Sequence, residues 1–452
     1  MSIIEAVSAV LGAIMPPVLI LAGIYFAVRL RFFYILHPIK TVKLMASRRG
    51  DGISPFRAAS MALAGTLGVG NITGVCAAIA SGGAGAVFWM WGSALAAMSV
   101  KYAETALAVI YRRRDREGYY GGAPYYISGG LPAKCSAPLG AVFAVLCIVN
   151  SFTVGGVLQV NAAAHSGAEL LSVSPYVVGG VLAAFTLAAV TGGARRISNV
   201  TVWLIPAVSA LYILMCSAVI VICRDSLPKV IERIFADAFS FRAAAGGGGG
   251  YMISAAIRYG VTRGVITNEA GAGTSPTAHA CADAYSPESQ GCLGIFEVFA
   301  DTILICTLTA FAVLSAGGGG LIGAGDAMGV ATESFSLVLG EWAAGAMTLS
   351  VFVFVLATLL SQHYYSRVAI KYLGGGESAV FLFTAAYILM VVFGSGMASP
   401  TVWLSADITV GLMTTINVAC LFMMRRDIHA PSLDKISREI AVTSPDISKN
   451  DD

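Results

Sequence analysis

The chain has 452 residues, 57% of them apolar and 12% charged, with a formal net charge of +3. A soluble domain carries about 25% charged residues, so about half the usual charge is missing, and a water-soluble protein of this size could not hide so much apolar surface. These figures exclude a soluble enzyme, a nucleic-acid binder and a secreted disulfide scaffold, and the small positive balance implies no acidic partner.

Runs 58–100 and 138–168 contain no Asp, Glu, Lys or Arg. Each exceeds the ~18 uncharged residues that mark a membrane span. Eleven apolar segments follow one another, at 6–28, 56–81, 85–111, 138–164, 175–194, 199–223, 250–275, 291–316, 343–366, 379–395 and 401–424. Helices are expected, because lipid offers no partner to an open strand edge. The short alternating segments of a membrane β-barrel are missing from the pattern. The N-terminus lacks the basic region of a cleavable signal, and its first apolar segment is long enough to span. The nine cysteines form no CxxC pair and sit mostly in apolar runs, where thiols serve as small buried hydrophobes.

Lys and Arg set the expected orientation. One set of alternate loops, together with the C-terminal tail, holds 21 of them, including Arg29, Arg31, Lys40, Lys43 and Arg112, Arg113, Arg114. The opposite loops hold only Arg224, Lys229, Arg233 and Arg242. The richer set belongs in the cytoplasm, so the N-terminus is expected outside and the tail 425–452 inside. That parity requires an odd number of spans. The tail is polar and is expected to be partly disordered, and 324–339 reads as an amphipathic surface helix or lid.

Two spans are broken by glycine. The second contains GTLGVGNITG at 65–74, and the seventh contains NEAGAGTSP at 268–276. Glycine alone would signal only close helix packing. Position adds the information: without the first span, these are the leading helices of two five-helix halves, 53–223 and 248–424, which enter the membrane from opposite sides. Segment 1–35 is then an extra N-terminal helix. Paired interrupted helices mark the substrate site of a secondary transporter, where freed N–H groups attract a carboxylate and freed carbonyls replace the hydration of a small cation. Asn71 and Asn268 add side-chain oxygens there.

These residues carry a resemblance. GGAGAVFWMW at 82–91 followed by KYAE at 101–104, GVGNITG at 68–74, GGAPYYI at 121–127 and RGVITNEAGAGTSP at 263–276 resemble the alanine-or-glycine:cation symporter family (sodium:alanine symporters) over about residues 50–424. The resemblance implies an all-α, leucine-transporter-type 5+5 inverted repeat. It also implies sodium-driven uptake of a small neutral amino acid across a plasma membrane, with sodium as coupling ion and no other cofactor. Gly65, Thr66, Gly68, Gly70, Asn71, Gln159, Asn268, Gly271, Gly273, Thr274 and Gln362 are the expected substrate residues. Thr358, with Asn71 and carbonyls of Ala64, Leu67 and Phe354, is the expected sodium set. Glu269, Arg263 and Asp301 are expected in gating or ion pairing, with Arg258 or Arg263 as a partner for Glu269. Glu297 and Asp301, four apart, are expected to pair with Lys101 or Arg263 or to face a vestibule. Lys101 and Glu104, three apart, are expected to pair with each other. Trp89 and Trp91 are expected to anchor packing.

The sequence departs from the family pattern at Ala357, where a serine is usual, at Gln362, where a tryptophan caps the pocket, and at Gly156, where an asparagine is usual. Gly92 and Ala97 are also atypical within the signature. A buried Gln362 amide favours a substrate with its own polar side chain, unless Ser361 or His363 satisfies it. A proton-coupled carrier of the same fold is an alternative, because histidine titrates near neutral pH and His363 and Glu269 lie in spans. A non-transporting membrane sensor is the alternative from another class, but the polar tail of about 28 residues is short for a signalling domain. Substrate, sodium and membrane lipid are the expected partners, and nucleic acid is not one.

Overall fold

A computed structural model describes residues 3–45, 53–116, 118–191, 193–239, 249–284, 286–317 and 327–431. The tail beyond Pro431, and 324–326 of the expected lid helix, lie outside the described residues.

The described residues are helical apart from one short hairpin. The first helices are α1 (Ile3–Arg29), α2 (Phe33–Leu36) and α3 (Pro38–Met45), followed by α4 (Pro55–Thr66) and α5 (Thr73–Gly82), then α6 (Gly85–Ile110). Arg113–Arg114 pairs antiparallel with Tyr119–Tyr120, closed by Asp115, whose Oδ1 accepts from the Gly118 N–H at 3.1 Å. Next come α7 (Ala123–Gly130), α8 (Ala133–Phe152), α9 (Leu158–Leu171), α10 (Pro175–Val190), α11 (Gly193–Ile222) and α12 (Leu227–Ala238). The chain continues through α13 (Gly249–Asn268), α14 (Pro276–Ala280), α15 (Pro287–Val298), α16 (Thr307–Ser315), α17 (Ala327–Leu339), α18 (Trp342–Tyr372), α19 (Glu377–Gly394) and α20 (Ser399–Met423).

Local signals explain several boundaries. Ser54 caps α4, accepting from the Arg57 N–H at 3.2 Å with Pro55 in the first turn, a position where the missing proline N–H costs nothing. Ser286 and Ser289 form a reciprocal cap on α15, again with a proline in the first turn. Between α8 and α9, residues Thr153–Val157 form a π-turn, and Phe299–Cys306 does the same between α15 and α16. Each π-turn keeps its two helices in line, so 133–171 and 287–315 run as continuous spans.

Among the described residues, eight helices are long and apolar enough to cross a membrane. The other three expected spans differ for physical reasons. Two are the glycine-broken ones, split into α4 and α5 and into α13 and α14. The third, α10, is a 16-residue apolar helix. Large apolar side chains are exposed on the outer helices, including Leu21, Trp203, Phe381, Leu382 and Phe393. Such a surface is stable against lipid and unstable against water, so the chain is a multi-pass membrane protein. The expected lid is α17, whose Met328, Ala331 and Phe335 are buried. Helices α2, α3, α7 and α12 were not expected. α12 packs under α6, where a Cβ on Gly85 would lie 2.5 Å from the Asp237 carbonyl carbon.

Candidate functional site

The first break separates α4 from α5. Gly68 is required by closeness: a Cβ there would meet Gln159 Oε1 and lie 3.0 Å from Thr358 Oγ1. A Cβ on Gly65 would lie 2.5 Å from the Tyr365 hydroxyl, and one on Gly70 3.0 Å from Thr267 Cγ2. Unwinding frees backbone groups that lipid cannot satisfy, and side chains take them. Asn71 Oδ1 accepts from the Gly68 N–H at 3.1 Å, and Gln159 Oε1 accepts from the Val69 N–H at 3.0 Å. Gln159 Nε2 donates to the Val154 carbonyl, in the π-turn, at 3.1 Å. Thr66 bonds back to the Ala62 and Leu63 carbonyls, both at 3.4 Å, and so serves its own helix.

Three oxygens converge beside this break. Thr358 Oγ1 lies 3.0 Å from the Phe354 carbonyl and 3.5 Å from the Leu67 carbonyl. Ala64, one turn before Leu67, is fully buried. A cluster of neutral oxygens suits a hard monovalent cation, which recruits oxygen ligands.

The second break follows α13. Glu269, Gly271 and Gly273 have φ of 51, 86 and 74°, in the left-handed region. The glycines adopt it freely. Glu269 does not, at a cost of about 1–3 kcal/mol, and its surroundings hold it. Asn268 Oδ1 accepts from the Ala270 N–H at 3.0 Å. The Gly271 N–H donates to Glu104 Oε2 at 3.1 Å, and its carbonyl accepts from Asn417 Nδ2 at 2.9 Å. Asn417 also donates to Glu104 Oε1 at 2.5 Å and accepts from the Tyr126 hydroxyl at 2.7 Å. The Glu269 carboxylate accepts from the Thr274 hydroxyl and from Gln362 Nε2 at 2.7 Å.

The π-turn between α15 and α16 joins the breaks. Asn71 Nδ2 donates to Asp301 Oδ1 at 2.7 Å, and the Thr302 hydroxyl donates to Asp301 Oδ2 at 2.7 Å. Asn268 Nδ2 donates to Thr302 Oγ1 at 3.1 Å. Two adjacent residues thus hold the asparagine of each break. All of these side chains are buried.

Several charge pairings differ from the sequence expectation. Lys101 does not pair with Glu104. Its Nζ donates to Ser275 Oγ at 2.6 Å and pairs at 3.3 Å with Glu297, as one of the sequence alternatives had it. Gln290 donates to His279 Nδ1 at 2.7 Å, so His279 Nε2–H donates to the second Glu297 oxygen at 2.9 Å. Arg263 does not reach Glu269: it pairs with Asp407 at 2.5 Å and stacks over Trp403 at 4.1 Å. Asp301 takes neutral donors rather than Lys101 or Arg263. The Gln362 amide is satisfied by Glu269 and by Asn150, whose Nδ2 donates to Gln362 Oε1 at 3.3 Å. Ser361 bonds the Met61 carbonyl at 2.9 Å, and His363 bonds Thr384 at 2.9 Å, so neither serves Gln362. Trp91 donates to Thr307 at 2.8 Å and packs on Phe311, as an anchor does.

Comparison with known proteins places this geometry. The sequence model of the Sodium:alanine symporter family matches residues 1–437. The chain belongs to this family. It is therefore a transporter and not an enzyme, and sodium is the family's coupling ion. The Bacillus subtilis protein named "Probable sodium/glutamine symporter GlnT" is 33% identical, over 95% of this chain and 90% of its own length. The Methanococcus maripaludis sodium/alanine symporter AgcS is 34% identical, over 92% and 93%. The Bacillus subtilis amino-acid carrier protein AlsT is 33% identical, over 90% and 86%. Among solved structures, an Eremococcus coleocola manganese transporter matches with a TM-score of 0.54 and 10% identity, over 88% of this chain and 87% of that one. That likeness concerns the fold alone.

Of the residues named from sequence, Gln159 and Thr358 lie against the first break, Asp301 bonds its asparagine and Gln362 bonds Glu269 at the second. Sequence reading missed Asn150, Asn417 and the tie from Glu104 to the second break. A carboxylate or amide inside an apolar span is a functional signal in itself, and Glu104 and Asn417 carry it.

Proposed function

We propose that the chain is a sodium-coupled symporter that carries a small neutral amino acid into the cell across the plasma membrane of a bacterium or archaeon. In this reading, eleven spans comprise an extra N-terminal helix in 1–35 and an inverted repeat of 53–223 and 248–424, with the tail 425–452 in the cytoplasm. The charge asymmetry of the loops supports the sidedness. Impermeant thiol reagents applied outside cells are expected to label Ser2→Cys and to miss Ile440→Cys. The opposite pattern contradicts the span count.

The convergence of Thr358 Oγ1 with the Leu67 and Phe354 carbonyls at the first break carries the coupling assignment. Sodium is held there by these oxygens with the Ala64 carbonyl, and Asn71 shapes the break around it. The substrate carboxylate takes the backbone N–H groups of 65–70, now partly held by Asn71 and Gln159. Its ammonium and side chain face Asn268, Thr274 and Glu269 at the second break, with Gln362 beyond. Arg263 with Asp407, and the Asp301–Thr302 pair with the two asparagines, hold the surrounding helices during closure.

Gln362 sets the side-chain preference. Its amide lies between Asn150 and Glu269, so a substrate hydroxyl or amide can join an existing polar network. A tryptophan would close that space and leave Glu269 with one partner fewer. Gln362→Trp is expected to shift the ratio of alanine to glutamine uptake toward alanine by about tenfold, within the ~1–3 kcal/mol of an unsatisfied polar group. Competition of labelled alanine uptake by unlabelled alanine, glycine, serine and glutamine reads this out. A strict alanine-and-glycine profile, unchanged in the variant, would remove Gln362 from the site.

A second reading, with a proton replacing or accompanying sodium, has one observation in its favour. Among the described residues, Glu104, Glu269 and Asp301 are buried and take their hydrogen bonds from uncharged groups. Uptake driven by an inward proton gradient in sodium-free vesicles would support it.

A further inference from the structure

We infer that the end of the bundle carrying the basic loops holds a binding site for the phosphodiester headgroup of an anionic phospholipid. A cavity of about 740 Å³ opens there between the end of α1 and the segment after α20, lined by Arg29, Arg31, His37 and His429. Among the described residues, no carboxylate lines it. The nearest acidic residue in sequence, Asp427, is turned away to accept from the Tyr111 hydroxyl at 2.8 Å.

The walls are fixed. Arg29 Nε donates to the Ile428 carbonyl at 3.1 Å, and the Tyr102 hydroxyl donates to the His429 carbonyl at 2.9 Å. These two bonds strap the 428–431 segment across the mouth of α1. On the other side, Arg31 and Phe32 both have left-handed φ, 55 and 49°. Side chains disfavour that conformation, so the surrounding packing holds it. This corner turns the chain out of α1 into α2 and α3. The Phe33 ring lies 5.4 Å from the His37 imidazole and fixes its place at the cavity wall.

Two arginines could simply face solvent at a helix end, favoured by the helix dipole. The neighbouring surface argues for lipid instead. Phe32, Ile35, Leu36, Ile39 and Val42, on α2, α3 and the turn before them, are between 42 and 72% exposed. Lys40 and Lys43 stand among them. An apolar surface flanked by lysines beside a cationic cavity is the pattern of a segment lying in the headgroup layer, with acyl chains on one side and phosphates on the other. A free phosphate would match the cations and leave that surface without a partner.

The test uses the full-length purified chain in neutral detergent. Native mass spectrometry follows retention of phosphatidylglycerol, phosphatidylcholine or inorganic phosphate. Retention of phosphatidylglycerol over phosphatidylcholine is expected, with no displacement by excess inorganic phosphate. Arg31→Gln is expected to weaken it about fivefold, the ~1 kcal/mol of one basic side chain near an anionic headgroup. Arg31→Lys is expected to retain it, and Arg224→Gln, on the opposite loops, to leave it unchanged. Gel filtration confirms that each variant is folded. Equal retention of phosphatidylcholine, displacement by phosphate, or unchanged retention in Arg31→Gln would each overturn the proposal.

Discussion

Thr358→Ala is expected to raise the sodium concentration for half-maximal uptake by about tenfold to a hundredfold while leaving the order of substrate preference unchanged. The hydroxyl meets the Phe354 carbonyl of its own helix at 3.0 Å and faces the Leu67 carbonyl across the first break at 3.5 Å. A contact from a polar group to a charge is worth about 1.5–3 kcal/mol, and each 1.4 kcal/mol is a factor of ten. Ala357, beside it, supplies no second hydroxyl, so the loss is uncompensated. The fold should survive, because α18 keeps its backbone ladder and the methyl group of alanine fits the space. Thr358→Ser is expected to restore the wild-type sodium dependence. Uptake against sodium concentration in proteoliposomes measures this, and an unchanged curve in Thr358→Ala would move the cation elsewhere.

Lys101→Met is expected to cost about 3–5 kcal/mol of stability, the penalty for leaving one partner of a buried ion pair alone. Lys101 and Glu297 are both fully buried. Without Nζ, one Glu297 oxygen and Ser275 at the second break lose their shared donor. His279 holds only the other oxygen. The double variant Lys101→Met/Glu297→Gln is expected to recover much of the loss, because it removes the orphaned charge. Thermal unfolding in detergent reports both. A single variant as stable as the parent would mean that the pair does not hold α6 to α14 and α15.

The sequence made the spans and breaks legible for one reason: in lipid, length, charge and glycine placement are nearly the whole constraint. GVGN inside the uncharged run 58–100, and NEAGAG inside the apolar span 250–275, located the break residues from Gly65 to Asn71 and from Asn268 to Thr274. Pairing was less legible. Local spacing favours Lys101 with Glu104, since both lie on α6. Glu297, 196 residues from Lys101, was among the expected partners and does pair with it, but Ser275, 174 residues away, and Asn417, 313 residues from Glu104, were not. The π-turn at 299–306 has no glycine or proline to announce it, yet it directs Asp301 to Asn71 and Thr302 to Asn268. Helices α3 and α12 went unseen because a search for long apolar runs passes over short amphipathic ones.

The direct measurement is uptake of labelled alanine and glutamine into proteoliposomes holding the purified chain, with and without an inward sodium gradient. Sodium-coupled symport by this site predicts accumulation above equilibrium with the gradient, its collapse when the gradient is dissipated, and a shift of this sodium response to higher concentration in Thr358→Ala. Accumulation that ignores sodium and follows an imposed proton gradient would contradict it.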